Sequence, residues 1–231
     1  FSLGWLARKL ELSARRTGGL IIAGGTAWSS GLAKALHERD VPVIVADNAW
    51  HRLRGARLAG VPVYFGELLS EQAEHDLELG AYGNLFAVTN NDAYNALVCA
   101  HFAPELGRQK VYQLATDEVA EPRRPSPAAR GRIALSEDVQ YEDLQRHWYQ
   151  GWGFHSTRIT ESYGIDDFKT QLPEDAVPIL IIGAKKEVRV LEAGKPLKAE
   201  PDERVLWFGC KDVCKPEPNG DPAALTPRPF V

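Results

Sequence analysis

The chain has 231 residues, 44% of them hydrophobic and 25% charged, with a formal net charge of −4. That length accommodates one large or two small globular domains, at roughly 100–200 residues each. The composition excludes a disordered or collagen-like chain, and the acidic balance argues against a nucleic-acid partner, which needs a basic face.

The three cysteines, Cys99, Cys210 and Cys214, are too few for a disulfide scaffold and point to a reducing compartment. The longest apolar runs, Leu20–Ala23, Val43–Ala46 and Ile179–Ile182, are strand-sized, far below the roughly 18 residues of a membrane span. There is no signal-peptide pattern, no methionine anywhere, and the first residue is Phe1, which reads as a segment cut from a longer polypeptide.

Residues 1–17 place Leu3, Leu6 and Leu10 at helical spacing beside Arg8, Lys9, Arg15 and Arg16. Two readings fit: an amphipathic surface helix, or a juxtamembrane connector, where basic residues gather beside a span.

From 18 to 114 strand and helix patterns alternate. Leu20–Ala23, Val41–Ala46, Val61–Phe65, Asn84–Val88 and Lys110–Leu114 read as strands. Ser29–Glu38, Trp50–Ala59, Ser70–Leu79 and Asp92–Phe102 read as helices, the last broken by Pro104 and Gly107. Continuous apolar strands separated by helices imply a parallel sheet covered on both faces, a Rossmann-type doubly wound α/β unit.

Residues 115–132 include Glu121-Pro-Arg-Arg-Pro-Ser-Pro and read as a linker, with a basic cluster of Arg123, Arg124, Arg130 and Arg132. Residues 133–214 then read as a smaller α+β domain. Its helices are Tyr141–Tyr149 and Ile165–Leu172, and its strands Phe154–Thr160, Val177–Ile182, Glu187–Leu191 and Arg204–Phe208. Residues 215–231, rich in proline, read as a flexible tail.

Ligands of an open parallel sheet bind at the carboxyl ends of its strands. The first such turn is Gly24-Gly25-Thr26-Ala27-Trp28-Ser29. With Gly24 as the first position of Gly-x-Gly-x-x-Gly, Thr26 and Ser29 replace the other two glycines, while Asp47 falls where a carboxylate meets a ribose hydroxyl. Thr26 adds a Cβ where backbone normally approaches pyrophosphate, yet helix-start amides and the Thr26 and Ser29 hydroxyls remain available to an anion. Thr89-Asn90-Asn91-Asp92 lies at the same edge, either capping the next helix or facing the crevice. Gly66 and Glu67, with Asn48 beside Asp47, complete the candidate nucleotide site. The alternative is an empty crevice in which Asp47 is only a turn residue.

The Gly24 turn, Val43-Ile44-Val45-Ala46-Asp47, Gly60-Val61-Pro62-Val63-Tyr64-Phe65-Gly66 and Val88-Thr89-Asn90-Asn91-Asp92 resemble the RCK or TrkA-N domain. Asp47-Asn48-Ala49-Trp50, Thr89–Ala96 and Val111-Tyr112-Gln113-Leu114 are similar to the cytoplasmic tail of bacterial NhaP-type sodium/proton antiporters. The resemblance implies a non-enzymatic regulatory domain at the cytoplasmic face of the inner membrane, downstream of a transmembrane antiporter domain. It also implies a homodimer formed through the Rossmann unit, with an adenine nucleotide (AMP, ADP, ATP or NAD/NADH) at the crevice controlling transport. A soluble NAD-dependent oxidoreductase and a ligand-free docking module are the alternatives. Neither a Tyr-x-x-x-Lys pair after the fourth strand nor a metal-ligand spacing among the six histidines is found.

Overall fold

The computed structural model describes residues 18–77, 79–115 and 130–210. β1 (Gly19–Ala23), β2 (Val43–Asp47), β3 (Val63–Phe65), β4 (Tyr82–Ala87), β5 (Val111–Gln113) and β6 (Arg132–Ile133) form one parallel sheet in the order β3-β2-β1-β4-β5-β6. Helices α1 (Ala27–His37), α2 (Arg54–Leu58), α3 (Glu71–Asp76) and α4 (Asp92–Leu106) make the crossovers. The strand order is that of a Rossmann sheet, with its switch point between β1 and β4.

The central strand β1 is apolar throughout because it buries both sides. Along β1, Leu20 and Ile22 enter one core and Ile21 and Ala23 the other; β2 splits Val43 and Val45 from Ile44 and Ala46 in the same way. The second of these cores is closed by Leu68, Ala73 and Leu77 around α3 and by Val98, Cys99, Phe102 and Leu106 of α4.

The expectation that Pro104 breaks α4 is corrected: the helix runs through it to Leu106. Proline removes one amide and its hydrogen bond, a loss felt least in the last turn of a helix. The stop comes at Gly107, the other expected breaker, whose φ of +95° favours glycine.

The rest of the chain adds α5 (Tyr141–Tyr149), β7 (Gly153–Arg158), α6 (Ile165–Gln171), β8 (Val177–Ile182), β9 (Val188–Val190) and β10 (Arg204–Gly209). Its strands form an antiparallel sheet in the order β7-β10-β8-β9. One face of this sheet, with Leu180, Ile182, Leu206 and Phe208, joins the core of the first sheet around α1. The opposite face, with Ile181 and Val205, packs on Phe168 of α6.

The two sheets are therefore less separate than linker and domain boundaries imply. Arg132 and Ile133, expected at the linker's end and the second domain's start, form the edge strand of the first sheet. Backbone bonds then cross the seam: Val188 N–H donates to Gly18 O, Ala134 N–H to Gln113 O, and Leu135 N–H to Leu191 O. The buried Asn84 amide on β4 donates to Val188 O at 3.0 Å and sits 3.4–3.5 Å from Gly18 O and Gly19 O. Gly31 of α1 leaves room for the Trp148 ring of α5, which an added Cβ would meet at 2.3 Å.

Trp148 and Trp152 pack against the shared core beside Phe154 and Phe208. Cys99 is a buried free thiol, pushed up to about 12 by burial. No helix among the described residues is long and apolar enough to cross a membrane. The expected connector 1–17, most of the linker and the tail 215–231 lie outside the described residues.

Candidate functional site

The carboxyl ends of β1, β2 and β4 open onto a cleft of about 210 Å³. Gly24, Asp47, Asn48, Thr89, Asn90 and Asn91 line it, as the sequence leads one to expect. Ala46, Arg52, Leu68 and Tyr94 line it too. Arg52 and Tyr94 carry no motif of their own; each reaches the cleft from a helical turn one step beyond a strand end.

Gly24 is required by geometry. Its φ is +115°, and a Cβ there would meet Thr89 Cγ2 at 2.9 Å and Val88 O at 3.1 Å. Asp47 is 8% exposed and is held at both oxygens: Gly25 N–H donates to Oδ2 at 2.8 Å and Ala49 N–H to Oδ1 at 2.7 Å. The Arg52 guanidinium stands 3.9 Å from the same Oδ2 but is half-exposed, so the pair itself contributes little.

Thr26 and Ser29 stand at the second and third glycine positions and form a capping box at the start of α1. Thr26 N–H donates to Ser29 Oγ at 2.8 Å and Ser29 N–H to Thr26 Oγ1 at 3.0 Å. Ser29 Oγ donates in turn to Gly24 O at 2.7 Å. The Gln145 amide of α5 donates to Thr26 Oγ1 at 3.1 Å, so the second sheet's unit reaches the turn directly. The hydroxyls expected to assist a phosphate are thus engaged in capping.

The other predicted residues do not line the cleft. Trp28 is corrected outright: its ring is 1% exposed and packs among Phe86, Phe154 and Phe208 in the core. Gly25 and Ser29 make local bonds around the first turn, Gly66 N–H donates to Asp47 O at 3.2 Å, and Ala27 begins α1. Asp92 begins α4, which Asn91 caps by accepting from Tyr94 N–H at 3.0 Å.

Glu67 acts from behind the rim. It accepts from the Tyr94 hydroxyl at 2.6 Å and from the Asn48 amide at 3.3 Å, tying β2, β3 and α4 together. Burial pushes the Glu67 carboxyl up, but bonds from Tyr94, the Leu69 amide and Asn48 outweigh it and hold it below its ordinary value. Burial, then the bond to Glu67 and its charge, push the Tyr94 phenol well above its ordinary value. Asn95, fully buried, braces the Thr89 turn by accepting from Thr89 Oγ1 at 2.6 Å and donating to Thr89 O at 2.9 Å. The sequence offers no signal for Asn95 beyond a polar residue on an apolar helix.

The family model of the TrkA-N domain matches residues 20–122. Residues 20–122 are a TrkA-N domain. The TrkA-N domain of the inner membrane protein ybaL from Escherichia coli is similar at 18% identity, over 42% of this chain and 71% of that one, with a TM-score of 0.36. The NAD(P)-binding domain of an exopolyphosphatase-related protein from Archaeoglobus fulgidus overlaps at 14% identity, covering 57% and 94% of the two chains, with a TM-score of 0.42. The GsuK RCK domain overlaps at 12% identity, covering 84% and 44%, with a TM-score of 0.41. A search of the curated proteins finds no match. The strand order and the cleft at its switch point, rather than these overlaps, establish the Rossmann character of the TrkA-N domain.

Proposed function

We propose that this chain is the ligand-sensing regulatory part of a monovalent cation/proton antiporter, and that the cleft of its TrkA-N domain takes an adenine nucleotide. The observation that carries the ligand half is the position of Asp47. Its carboxylate meets the Gly24–Gly25 turn inside a cleft rimmed by Asn48, Thr89, Asn90 and Asn91, the place where a ribose binds in a sheet of this order.

The occupied turn favours a mononucleotide over a dinucleotide. A pyrophosphate crossing to the β5 side passes over the start of α1, where the capping box and Gln145 already engage the Thr26 and Ser29 hydroxyls. Arg52, at the cleft wall and half-exposed, supplies the cation for a terminal phosphate. In this reading the enzymatic alternative has no role, and the site senses rather than converts.

Regulation follows from one bond. Gln145 ties α5 to Thr26, so a ligand that shifts the turn has different affinities for the tied and released arrangements. Only such a difference moves an equilibrium. The antiporter partner, the dimer through the TrkA-N domain and the location at the cytoplasmic face rest on the resemblance of residues 1–114 to NhaP-type tails.

Calorimetry of the 231-residue chain against AMP, ADP, ATP, NAD and NADH tests the ligand. Saturable binding of adenine mononucleotides, weakened at least tenfold by Arg52→Ala, is expected. Silence from all five overturns the ligand, and NAD binding tighter than AMP overturns the mononucleotide preference. The gene upstream of Phe1 is expected to encode about a dozen apolar segments, and their absence would remove the antiporter.

A further inference from the structure

Of the five large hydrophobic side chains exposed among the described residues, Trp50, Leu58 and Phe65 belong to one stretch of chain, where β2 gives way to α2 and β3. The stretch is anchored on one side only. Leu53 and Ala56 are fully buried and fix it to the core, while His51, Arg52, Arg54, Arg57 and Leu58 are exposed. Phe65 ends β3, the edge strand of the parallel sheet, and is 55% exposed.

The side chains of this patch hold one another. Trp50 and Phe65 meet edge to face, with ring centroids 5.4 Å apart, and the Arg57 guanidinium lies 3.9 Å from the Trp50 ring centroid. Arginine stacked on tryptophan in this way presents charge and apolar surface side by side. The charge is equally one-sided. The chain carries 31 acidic residues and a net charge of −4, yet none of the acids falls between Asn48 and Gly66, where there are three arginines and a histidine. Asp47, at the border, is buried and stands 3.9 Å from Arg52 on the side of the cleft, so Arg54 and Arg57 set the sign of the outer side.

These features select among occupants. A second copy on a two-fold axis would set the patch against itself, arginine on arginine. A nucleic-acid strand stacks its bases on free aromatic faces, but Arg57 covers one face of Trp50 and Phe65 abuts the ring. An anionic lipid surface takes all parts of the patch at once: arginines meet the headgroup phosphates, tryptophan sits at headgroup level, and Leu58 and Phe65 enter the acyl boundary.

We propose that this edge of the TrkA-N domain docks on an anionic lipid bilayer, with Arg54 and Arg57 supplying the attraction and Trp50, Leu58 and Phe65 the insertion. The same bilayer repels the acidic remainder of the chain, so docking fixes the orientation of the domain, β3 toward the lipid. The proposal depends neither on a ligand in the cleft nor on an antiporter partner.

The test uses the full 231-residue chain in sedimentation with vesicles of phosphatidylglycerol and phosphatidylcholine in equal parts, and with vesicles of phosphatidylcholine alone. Binding to the anionic vesicles only is expected, falling steeply as salt screens the arginines. The double variant Arg54→Glu, Arg57→Glu should weaken it at least tenfold. Leu58→Ser, a change at a side chain 77% exposed and so harmless to the fold, should weaken it severalfold with Tm unchanged. The double variant Lys185→Glu, Lys198→Glu, which makes the same change of net charge at exposed positions of the second unit, should leave it intact. No binding to anionic vesicles, equal binding to neutral ones, or binding untouched by the arginine and leucine changes overturns the proposal. So does tighter binding of a single-stranded oligonucleotide or of polyglutamate than of the vesicles, or a dimer in light scattering that Leu58→Ser turns into a monomer. The nucleotide titrations contain no lipid, so either reading can fail alone.

Discussion

The Asp47 carboxylate accepts a hydrogen bond from the Gly25 amide, 22 residues earlier in the chain, at 2.8 Å. The acid that identifies a ribose site by its spacing is also the clamp that shapes the turn. Removing it therefore affects the fold as well as any ligand. Asp47→Ala leaves the buried Gly25 donor unpaired, at a cost of about 1–3 kcal/mol. Urea unfolding should show this loss. Asp47→Asn keeps one acceptor and should recover part of the stability while binding stays weak; a variant as stable as the parent in both cases would remove the clamp.

Gly24→Ala should be more damaging than its size suggests. At φ +115° a side chain is strained by about 1–3 kcal/mol, before the collision with Thr89 and Val88 is counted. The expected result is a lower Tm and a cleft that no longer binds nucleotide. Gly60→Ala is the control. It too has a positive φ, +72°, but no atom lies within 4 Å of its Cβ, so its loss should be the smaller one.

Gly31→Ala sets two effects against each other. Alanine is the better helix former by about 1 kcal/mol. Here its Cβ would lie 2.3 Å from the Trp148 ring, which is boxed in by Phe154 and Phe208. Overpacking of this kind costs about 1–3 kcal/mol, so destabilisation should win. Tryptophan fluorescence should shift to longer wavelength as the ring leaves α1. An unchanged spectrum with a raised Tm would show that the two units are not pressed together there.

The Glu67–Tyr94 pair should set both ends of a pH window. Glu67 is held below its ordinary value, so its contribution is present above about 4.5 and is lost as pH falls through the lower folded value. Tyr94 is held above its ordinary value, so its contribution is present below about 10 and is lost as pH rises toward the higher folded value. Tyr94→Phe removes the shared bond. The acid limb of a urea-midpoint profile should then move to higher pH and the alkaline limb should flatten. A profile superimposable on the parent would exclude the pair from stability.

The centre of the parallel sheet was legible because β1 and β2 bury both faces, leaving apolar runs with no polar interruption at Leu20–Ala23 and Val43–Ala46. The cleft was legible where spacing carries meaning: Gly24, Asp47 and Thr89–Asn91 all line it. Trp28 was misplaced because a helix turns about 100° per residue. Trp28 lies inside α1 on the side that packs into the core, a direction that a motif written in linear order does not contain. Tyr94 and Asn95 could not be read because one acts through Glu67, 27 residues away, and the other through burial. β6 was missed because two residues after a proline-rich stretch give no periodicity to read.

Asn84 joins β4 to the chain's entry into β1 and to β9 through the carbonyls of Gly19, Gly18 and Val188. Gly18 is also gripped by Val188, whose amide donates to its carbonyl at 2.9 Å. A pull at Gly18 along β1 loads the ladders to β2 and β4 together, in shear, the direction in which paired strands resist extension best. The same tug reaches β9 through its bonds to the entry residue, so tension entering here is delivered to both sheets at once before any single hydrogen bond has to part.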